Sequence, residues 1–144
     1  MMTSIRAARH ADADALSSLS GQLGYPADAA DIARRLHEMA MNHTGEVLVA
    51  EAEDGAVVGW AEASLQRRLV HDTRVELAGL IVADGARGCG VGTALLRAVE
   101  AWARERGLPE LVVRSNVVRE RAHRFYLREG YAEKKRQVVF SRRL

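Results

Sequence analysis

The stretch Arg87-Gly88-Cys89-Gly90-Val91-Gly92 lies between a run of β-branched and other apolar residues and the clearest amphipathic helix of the chain. Glycine lets the main chain adopt positive φ angles and approach a ligand closely. The first N–H groups of the following helix have no partner within the helix, and together with the helix dipole they attract an anion. The stretch therefore predicts either a loop that holds a pyrophosphate or a glycine-rich turn that binds nothing.

Two other kinds of phosphate loop do not match these residues. A Walker-type loop needs Gly-Lys followed by Ser or Thr, whereas Gly92 is followed by Thr93 and Ala94. A dinucleotide-binding loop needs Gly or Ala three residues after its second glycine. Depending on the starting glycine, that position is Thr93 or Leu95. Neither a P-loop site nor a Rossmann site is predicted.

Hydrophobic periodicity around this loop predicts elements in the order β-α-α-β-β-β-α-β-α-β. Asp54-Gly55 indicates a hairpin between two of the strands. This order predicts one mixed α/β domain that spans residues 1–144. The predicted strands are 4–8, 47–53, 57–69, 73–82, 111–114 and 131–143. The first three predicted helices carry, in turn, Leu16, Leu19 and Leu23; Ile32, Leu36 and Met39; and Val91, Leu95, Ala98 and Trp102. The fourth predicted helix is the segment 119–129.

The composition of the chain indicates a globular protein. The 144 residues are 48% hydrophobic and 28% charged, which is typical of a globular chain. No apolar run approaches the ~20 residues that span a bilayer, and the N-terminus lacks the pattern of a signal peptide. Cys89 is the single cysteine, so neither a disulfide framework nor a cysteine-rich zinc site is predicted. These features predict a soluble, cytoplasmic protein without a membrane partner.

The net charge of +2 does not by itself indicate nucleic acid. The basic excess gathers between residues 114 and 143, where it would form a solvated face or bind a polyanion such as a phosphorylated cofactor. We predict no nucleic-acid partner.

Two motifs together resemble the signatures of the GNAT superfamily of N-acetyltransferases. The first is Arg87-x-x-Gly90-x-Gly92, preceded by Leu80-Ile81-Val82. The second is Ala122-His123-Arg124-Phe125-Tyr126-Leu127-Arg128-Glu129-Gly130-Tyr131. The resemblance covers nearly the whole chain and implies a mostly antiparallel sheet with a central splay, flanked by about four helices. It also implies that acetyl-CoA is bound as a co-substrate.

The resemblance implies where the co-substrate lies. The strand before the loop bulges and splays from its neighbour, and the pantetheine arm enters that gap. Its main-chain partners would be Leu80, Ile81 and Val82. The pyrophosphate would be held by the loop amides of Arg87, Gly88, Cys89, Gly90, Val91 and Gly92. Many family members have an asparagine where Arg119 stands here. Asn116 is therefore the substitute contact with the cofactor, or else a capping or turn residue.

An amine that attacks a thioester must lose a proton, so a base is required. Glu76 is the predicted base, because strict alternation along its strand would place it on the side of Ala78, Leu80 and Val82, facing the gap. The alternatives are that Glu76 faces solvent, that Glu62 on the neighbouring strand is the base, or that a water chain is. A bulge N–H near Val82 would stabilise the oxyanion.

The other reactive side chains are Tyr126, Cys89 and the five histidines. The resemblance implies that Tyr126 protonates or hydrogen-bonds the departing thiolate, and the alternative is core packing beside Phe125. Cys89 lies in the pyrophosphate loop, so we do not predict a nucleophilic role for it. The five histidines show no metal-ligand spacing, and no metal ion is predicted.

The resemblance implies an acetyl-CoA-dependent N-acetyltransferase that moves an acetyl group to a primary amine by direct attack on the thioester. A small-molecule acceptor is favoured. The alternatives are acetylation of a protein amino group and a non-catalytic acetyl-CoA sensor. The β-like C-terminus from Tyr131 would supply an edge for pairing in a homodimer.

Overall fold

The computed structural model describes residues 1–22 and 24–144, which form two compact units, residues 1–113 and 114–144. Leu23, placed by its spacing on the first helix, lies outside the described residues. The strands are β1 (Thr3–Ala7), β2 (Gly45–Ala52), β3 (Val57–Arg68), β4 (His71–Val82) and β5 (Leu111–Val113). The helices of the first unit are α1 (Ala13–Gln22), α2 (Ala29–Asn42) and α3 (Val91–Glu105), and the second unit contains α4 (Glu120–Arg128).

The five strands form one sheet in the order β1-β2-β3-β4-β5. The pairings from β1 to β4 are antiparallel, and β5 is parallel to β4. The predicted fold class, a mixed α/β arrangement with a mostly antiparallel sheet, is confirmed. None of the described helices combines the length and the apolar character that a bilayer crossing requires.

Helix α3 covers one face of the sheet and forms the centre of the core. Leu95, Leu96 and Val99 on this helix are 0% exposed, and burying a leucine of this kind stabilises the fold by about 1.5–3 kcal/mol. Gly59 on β3 permits a close approach, because a methyl group there would lie 3.1 Å from Leu95 Cδ1 and 2.9 Å from the carbonyl oxygen of Ile81. This packing holds the start of α3, and the glycine loop before it, beyond the end of β4.

Helix α2 lies over the other face of the sheet but does not close on it. The helix begins after Asp28, whose side chain accepts a hydrogen bond from the N–H of Ala30 at 2.8 Å. Its apolar side carries Ile32, Leu36 and Met39, yet none of its residues is fully buried. The reason is that these three side chains border a cavity between the helix and the sheet.

A β-bulge changes the direction of side chains along β4. Glu62 on β3 pairs with Gly79, whereas the next β3 residue, Ala63, pairs with Leu77. Ala78 is therefore the extra residue of the bulge, and its side chain is exposed. Strict alternation along β4, the basis of the sequence prediction, holds only up to this point.

The pairing of β4 with β5 ends just before the bulge. The ladder between β4 and β5 joins Val75 to Leu111 and ends at Leu77 and Val113, while β4 continues to Val82. Edge groups of the last part of β4 therefore face a gap in the sheet of the first unit. The expected bulge is present, although it is at Ala78 and not near Val82 as we predicted.

The second unit corrects one sequence prediction. Residues 131–144 contain no regular secondary structure, so the strand predicted at 131–143 is absent. A strand requires a neighbour that accepts and donates its ladder hydrogen bonds, and no such ladder is present within residues 114–144. Val138, Val139 and Phe140 are consequently 77–89% exposed.

Candidate functional site

The glycine loop has the geometry of an anion-binding turn. Gly88 and Gly90 both have φ of +79°, a left-handed conformation that favours glycine. Gly90 is the N-cap of α3, and the first turn of that helix contains no acidic residue. A methyl group built on Gly88 or Gly90 would find no other heavy atom of the described chain within 4 Å, apart from its immediate neighbours. The loop is therefore open above the N–H groups that α3 leaves unpaired.

Two charged residues lie on the approach to this loop. Arg87 Nη2 is 3.2 Å from Asp84 Oδ1, and the Arg87 side chain is about one-third exposed. Because this ion pair is near solvent, its net contribution to stability is small. The guanidinium can exchange the carboxylate for a phosphate without a large loss of free energy.

Main-chain groups on the last part of β4 face the gap. The N–H of Ala83 donates to the carbonyl of Val58 at 2.8 Å, so Ala83 is directed towards β3. The side on which main-chain groups bond alternates along a strand. Leu80 and Val82 therefore direct their N–H and C=O groups away from β3 and into the gap, whereas Ile81 directs its own towards β3. Of the three predicted pantetheine contacts, the geometry favours Leu80 and Val82 and does not favour Ile81.

Because of the bulge, the Glu76 side chain lies on the opposite face of the sheet from the one that we predicted. Glu76 pairs with Ser64, and after the bulge Gly79 and Ile81 pair with Glu62 and Trp60. Directly opposite residues share a face of the sheet. Glu76 is therefore on the side of Gly79 and Ile81, and it is not on the side of Leu80 and Val82. This is the face that carries the cavity.

A cavity of about 380 Å³ lies on this face, between the sheet and the two N-terminal helices. Its walls come from α1, α2 and the turn at residues 25–27, and Trp60 and Glu62 of β3 form its floor. Burial raises the pKa of Glu62, and the nearby carboxylate of Glu76 raises it further. Arg35 of α2 also lines the cavity.

Trp60 shapes the floor of this cavity. A methyl group on Gly79 would lie 2.7 Å from Trp60 Cζ3, so the indole ring occupies space that only glycine leaves free. The indole Nε1 is buried and has no hydrogen-bond partner in the part of the chain that the structure describes. Sequence reasoning did not identify Trp60 or Arg35. The spacing of Trp60 and Glu62 could have identified the tryptophan, because residues two apart on a strand share a face and Glu62 was already a candidate base.

The second unit holds the tyrosine of the second motif. Tyr126 lies on α4, and its ring makes edge-to-face contacts with Phe125 and Tyr131 at centroid distances of 5.1 and 6.0 Å. Burial raises the pKa of the Tyr126 hydroxyl, while Arg119 opposes that effect. The phenol is therefore protonated at neutral pH and available as a donor.

Asn116 stabilises the turn before α4. Its side-chain oxygen accepts a hydrogen bond from the N–H of Val118 at 3.1 Å, and its carbonyl accepts one from the N–H of Arg119 at 3.0 Å. These contacts are those of the turn residue that we considered as the alternative. The neighbouring Ser115 hydroxyl is buried without a partner among the described residues, a feature that the sequence did not reveal.

The remaining reactive side chains do not form a site of their own. The Cys89 thiol is exposed, and its Sγ lies 3.9 Å from the Arg87 carbonyl oxygen. Across residues 1–22 and 24–144, no group of three or more His, Cys, Asp or Glu side chains could hold a metal ion.

Comparison with known proteins shows the family of this chain. Residues 12–131 match the Acetyltransferase (GNAT) family. The chain belongs to the GNAT acetyltransferase family. It is an acetyl-CoA-dependent N-acetyltransferase, and the predicted family, activity and co-substrate are confirmed.

Three proteins similar to this GNAT enzyme have different substrates or ligands in their names. An aminoglycoside N(6')-acetyltransferase type 1 of Stenotrophomonas maltophilia is 39% identical over 140 residues, which cover 94% of this chain and 90% of that protein. An aminoalkylphosphonate N-acetyltransferase of Salmonella typhimurium is 38% identical over 81 residues, 56% of this chain and 53% of that protein. The structure of AAC(6')-Iy with the bisubstrate analogue CoA-S-monomethyl-acetylneamine superposes with a TM-score of 0.84 at 24% identity, covering 100% of both chains.

A substitution at Gly90 tests whether this loop of the GNAT enzyme holds the pyrophosphate. Acetyl-CoA at 100 times its Kd is expected to stabilise the wild-type protein by about 2.7 kcal/mol. Gly90→Asp should abolish the resulting rise in melting temperature, because it strains the left-handed residue and places a negative charge at the anion site. Gly21→Asp is the control, since Gly21 lies on α1 with open space around it. A full thermal shift in folded Gly90→Asp would contradict the loop assignment.

Proposed function

We propose that the acetyl acceptor is a small, polycationic amine of the aminoglycoside class. The observation that carries the proposal is the cavity between the sheet and the two N-terminal helices, with the carboxyl group of Glu62 on its floor. A carboxylate in a partly apolar cavity attracts an ammonium group and can then take its proton. The similarity to an aminoglycoside N(6')-acetyltransferase over 94% of the chain supports the same acceptor class.

Proton transfer to Glu62 is the first chemical role that we propose. Glu62 lines the cavity directly, and its raised pKa brings it closer to that of the substrate amine. Glu76 carries a hydrogen bond from Gln66 and acts in this proposal as the charged neighbour of Glu62. The predicted role of Glu76 as the base itself remains the alternative.

Proton donation by Tyr126 is the second role. As the amine attacks, the C–S bond breaks and the sulfur gains negative charge, which a phenol can neutralise. We propose that residues 1–144 work as a single N-acetyltransferase domain. The co-substrate would be held by main-chain groups of Leu80 and Val82, by the amides from Arg87 to Gly92 and by Asn116.

An aminoalkylphosphonate is the second candidate acceptor. The observation in its favour is Arg35, whose side chain lines the same cavity and would pair with a phosphonate group. The similarity to an aminoalkylphosphonate N-acetyltransferase supports it over a shorter stretch of 81 residues.

Thiol release from acetyl-CoA separates the acceptors. We expect kcat/KM for aminoglycosides with a free primary amine to exceed that for aminoalkylphosphonates and for lysine-containing peptides. Arg35→Met should leave aminoglycoside turnover largely intact and should abolish turnover of phosphonates. A preference for phosphonates that Arg35→Met removes would establish the second candidate, and turnover of peptides alone would overturn both.

A homodimer in the cytoplasm is the proposed state of the enzyme. Residues 131–144 expose Val138, Val139 and Phe140, and a second copy of the chain would cover them by strand pairing. The exposed thiol of Cys89 fits a reducing compartment. Sedimentation at micromolar concentration should give about twice the 15.8 kDa chain mass, and Val139→Lys should yield the monomer. A wild-type protein that sediments as a monomer would refute the dimer.

A further inference from the structure

A second cavity, of about 370 Å³, lies at the end of the sheet where β2 begins and β3 ends. The last turns of α2 and α3 form its sides. It is next to the cavity over Glu62, because Leu36, Met39 and Val47 line both. Its volume lies within the range of small-molecule sites.

The walls of this second cavity are largely apolar. Leu36, Met39, Val47 and Leu65 line it, and each of these side chains is only partly buried. Apolar surface that stays hydrated in a concave space gains free energy when an apolar ligand displaces the water. The walls therefore suit a ligand with an apolar body.

Glu46 and Arg106, two charged residues of the cavity, contact each other and Trp102. Glu46 Oε2 accepts a hydrogen bond from Trp102 Nε1 at 2.6 Å and lies 3.8 Å from Arg106 Nη2. Arg106 also donates to the carbonyl of Trp102 at 3.0 Å, and its guanidinium carbon is 3.9 Å from the centre of the indole ring. The two charges compensate each other, and the bond from Arg106 satisfies a carbonyl at the end of α3.

Arg67 brings to the cavity a positive charge that is not compensated in this way. Within residues 1–22 and 24–144, its guanidinium makes no hydrogen bond or ion pair, and the residue is exposed. Arg67 and Leu65 both line the cavity from the end of β3. A guanidinium beside an apolar wall can bind a carboxylate that carries an apolar body, because its planar fork makes two parallel hydrogen bonds with the two oxygens.

His43 gives an independent indication of a ligand. It follows the last residue of α2 with φ of +52° and ψ of +44°, and it is the one residue other than glycine with positive φ among residues 1–22 and 24–144. Glycine is the usual residue at this position, because a side chain strains the left-handed conformation. The side chain that causes this strain lines the second cavity. Strain of this kind is typical of ligand sites.

We propose that the second cavity binds a small molecule that combines a carboxylate with an apolar body. Arg67 pairs with the carboxylate, His43 donates a hydrogen bond to it, and the apolar body covers Leu65 and Met39. The proposal is independent of the proposed acetyl acceptor, since Arg67 and His43 have no part in the proposed acetyl transfer.

The test is an NMR titration of the isotope-labelled full chain with hexanoate. Each cavity has one of the two tryptophans in its wall, Trp102 in the second cavity and Trp60 in the cavity over Glu62. Hexanoate should shift the indole N–H signal of Trp102 until the site is saturated and should leave the Trp60 signal in place. Trp60→Phe assigns the two signals. Hexanol should bind about fivefold more weakly, because it lacks the charge that pairs with Arg67.

Two substitutions separate the ligand contacts from the fold. Arg67→Met should weaken hexanoate binding by about fivefold or more, whereas Arg68→Met, which changes the next arginine of β3, should bind it like the wild type. His43→Gly should weaken binding and at the same time keep or raise the melting temperature, because glycine relieves the left-handed strain.

Several results would overturn the proposal. Equal affinity for hexanol and hexanoate, or wild-type affinity in Arg67→Met, would show that the cavity does not recognise a carboxylate. A shift of the Trp60 signal alone, or no saturable shift of the Trp102 signal up to about 10 mM hexanoate, would show that the second cavity is not the site. Wild-type affinity in folded His43→Gly would overturn the contact assigned to His43.

Discussion

Replacing Glu62 by Gln is expected to lower turnover of the best amine acceptor by about 100- to 10,000-fold at pH 7, the range typical of a lost general base. Glutamine keeps the size of the side chain and its capacity to accept a hydrogen bond, but it cannot take a proton. Wild-type kcat/KM should fall as the pH drops below the raised pKa of Glu62, because the protonated carboxyl no longer accepts the proton of the amine. The variant should lack this acidic limb.

Two further variants make the experiment specific. Glu76→Gln removes the negative neighbour and so lowers the pKa of Glu62, which should move the acidic limb to lower pH and reduce turnover far less. Glu53→Gln changes an exposed carboxylate and should behave as wild type. Loss of the limb in Glu76→Gln, together with its retention in Glu62→Gln, would assign the base to Glu76.

Tyr126→Phe is expected to reduce turnover by roughly ten- to a thousand-fold, the scale of one proton donor or charge-stabilising contact. The phenol is protonated at pH 7, because burial raises its pKa, so the wild-type residue can donate to the departing thiolate. Phenylalanine keeps the ring contacts with Phe125 and Tyr131 and removes only the donor. The affinity for acetyl-CoA should therefore stay within a few-fold of the wild-type value.

The measurement is single-turnover kinetics, which confirms that chemistry limits the rate. Tyr131→Phe is the matched control, since it removes a hydroxyl group from a neighbouring ring of the same unit. Wild-type turnover in folded Tyr126→Phe would show that the residue only packs against its neighbours, because the change is nearly volume-conserving.

Short-range patterns explain why much of this enzyme could be predicted. The glycine loop, the start of α3 at Val91 and the left-handed Gly90 depend on neighbours in the chain, and local rules describe them well. The alternating strands and the apolar stripe of α2 also follow from local periodicity. The same motifs carried the resemblance to the GNAT family, which the comparison of residues 12–131 confirms.

The positions of the carboxylates of Glu62 and Glu76 could not be predicted in the same way. One extra residue at Ala78 reverses the side chains of β4, so Glu76 lies on the cavity face and not on the side of Leu80 and Val82. A bulge depends on how two strands pair, so the sequence of either strand alone does not reveal it. The same applies to Trp60 against Gly79 and to the amide of Gln66 between Arg74 and Glu76.

The sequence by itself determined the family, the co-substrate and the left-handed glycine loop before α3, because a glycine turn and a helix N-terminus depend on adjacent residues. Only the tertiary structure decided which carboxylate lines the cavity, which strand groups face the gap, and that residues 131–144 form no strand within their own unit. The physical reason is that strand register, burial and the pairing of charges depend on residues distant in the chain. A change of one residue in register moves a side chain to the opposite face of the sheet.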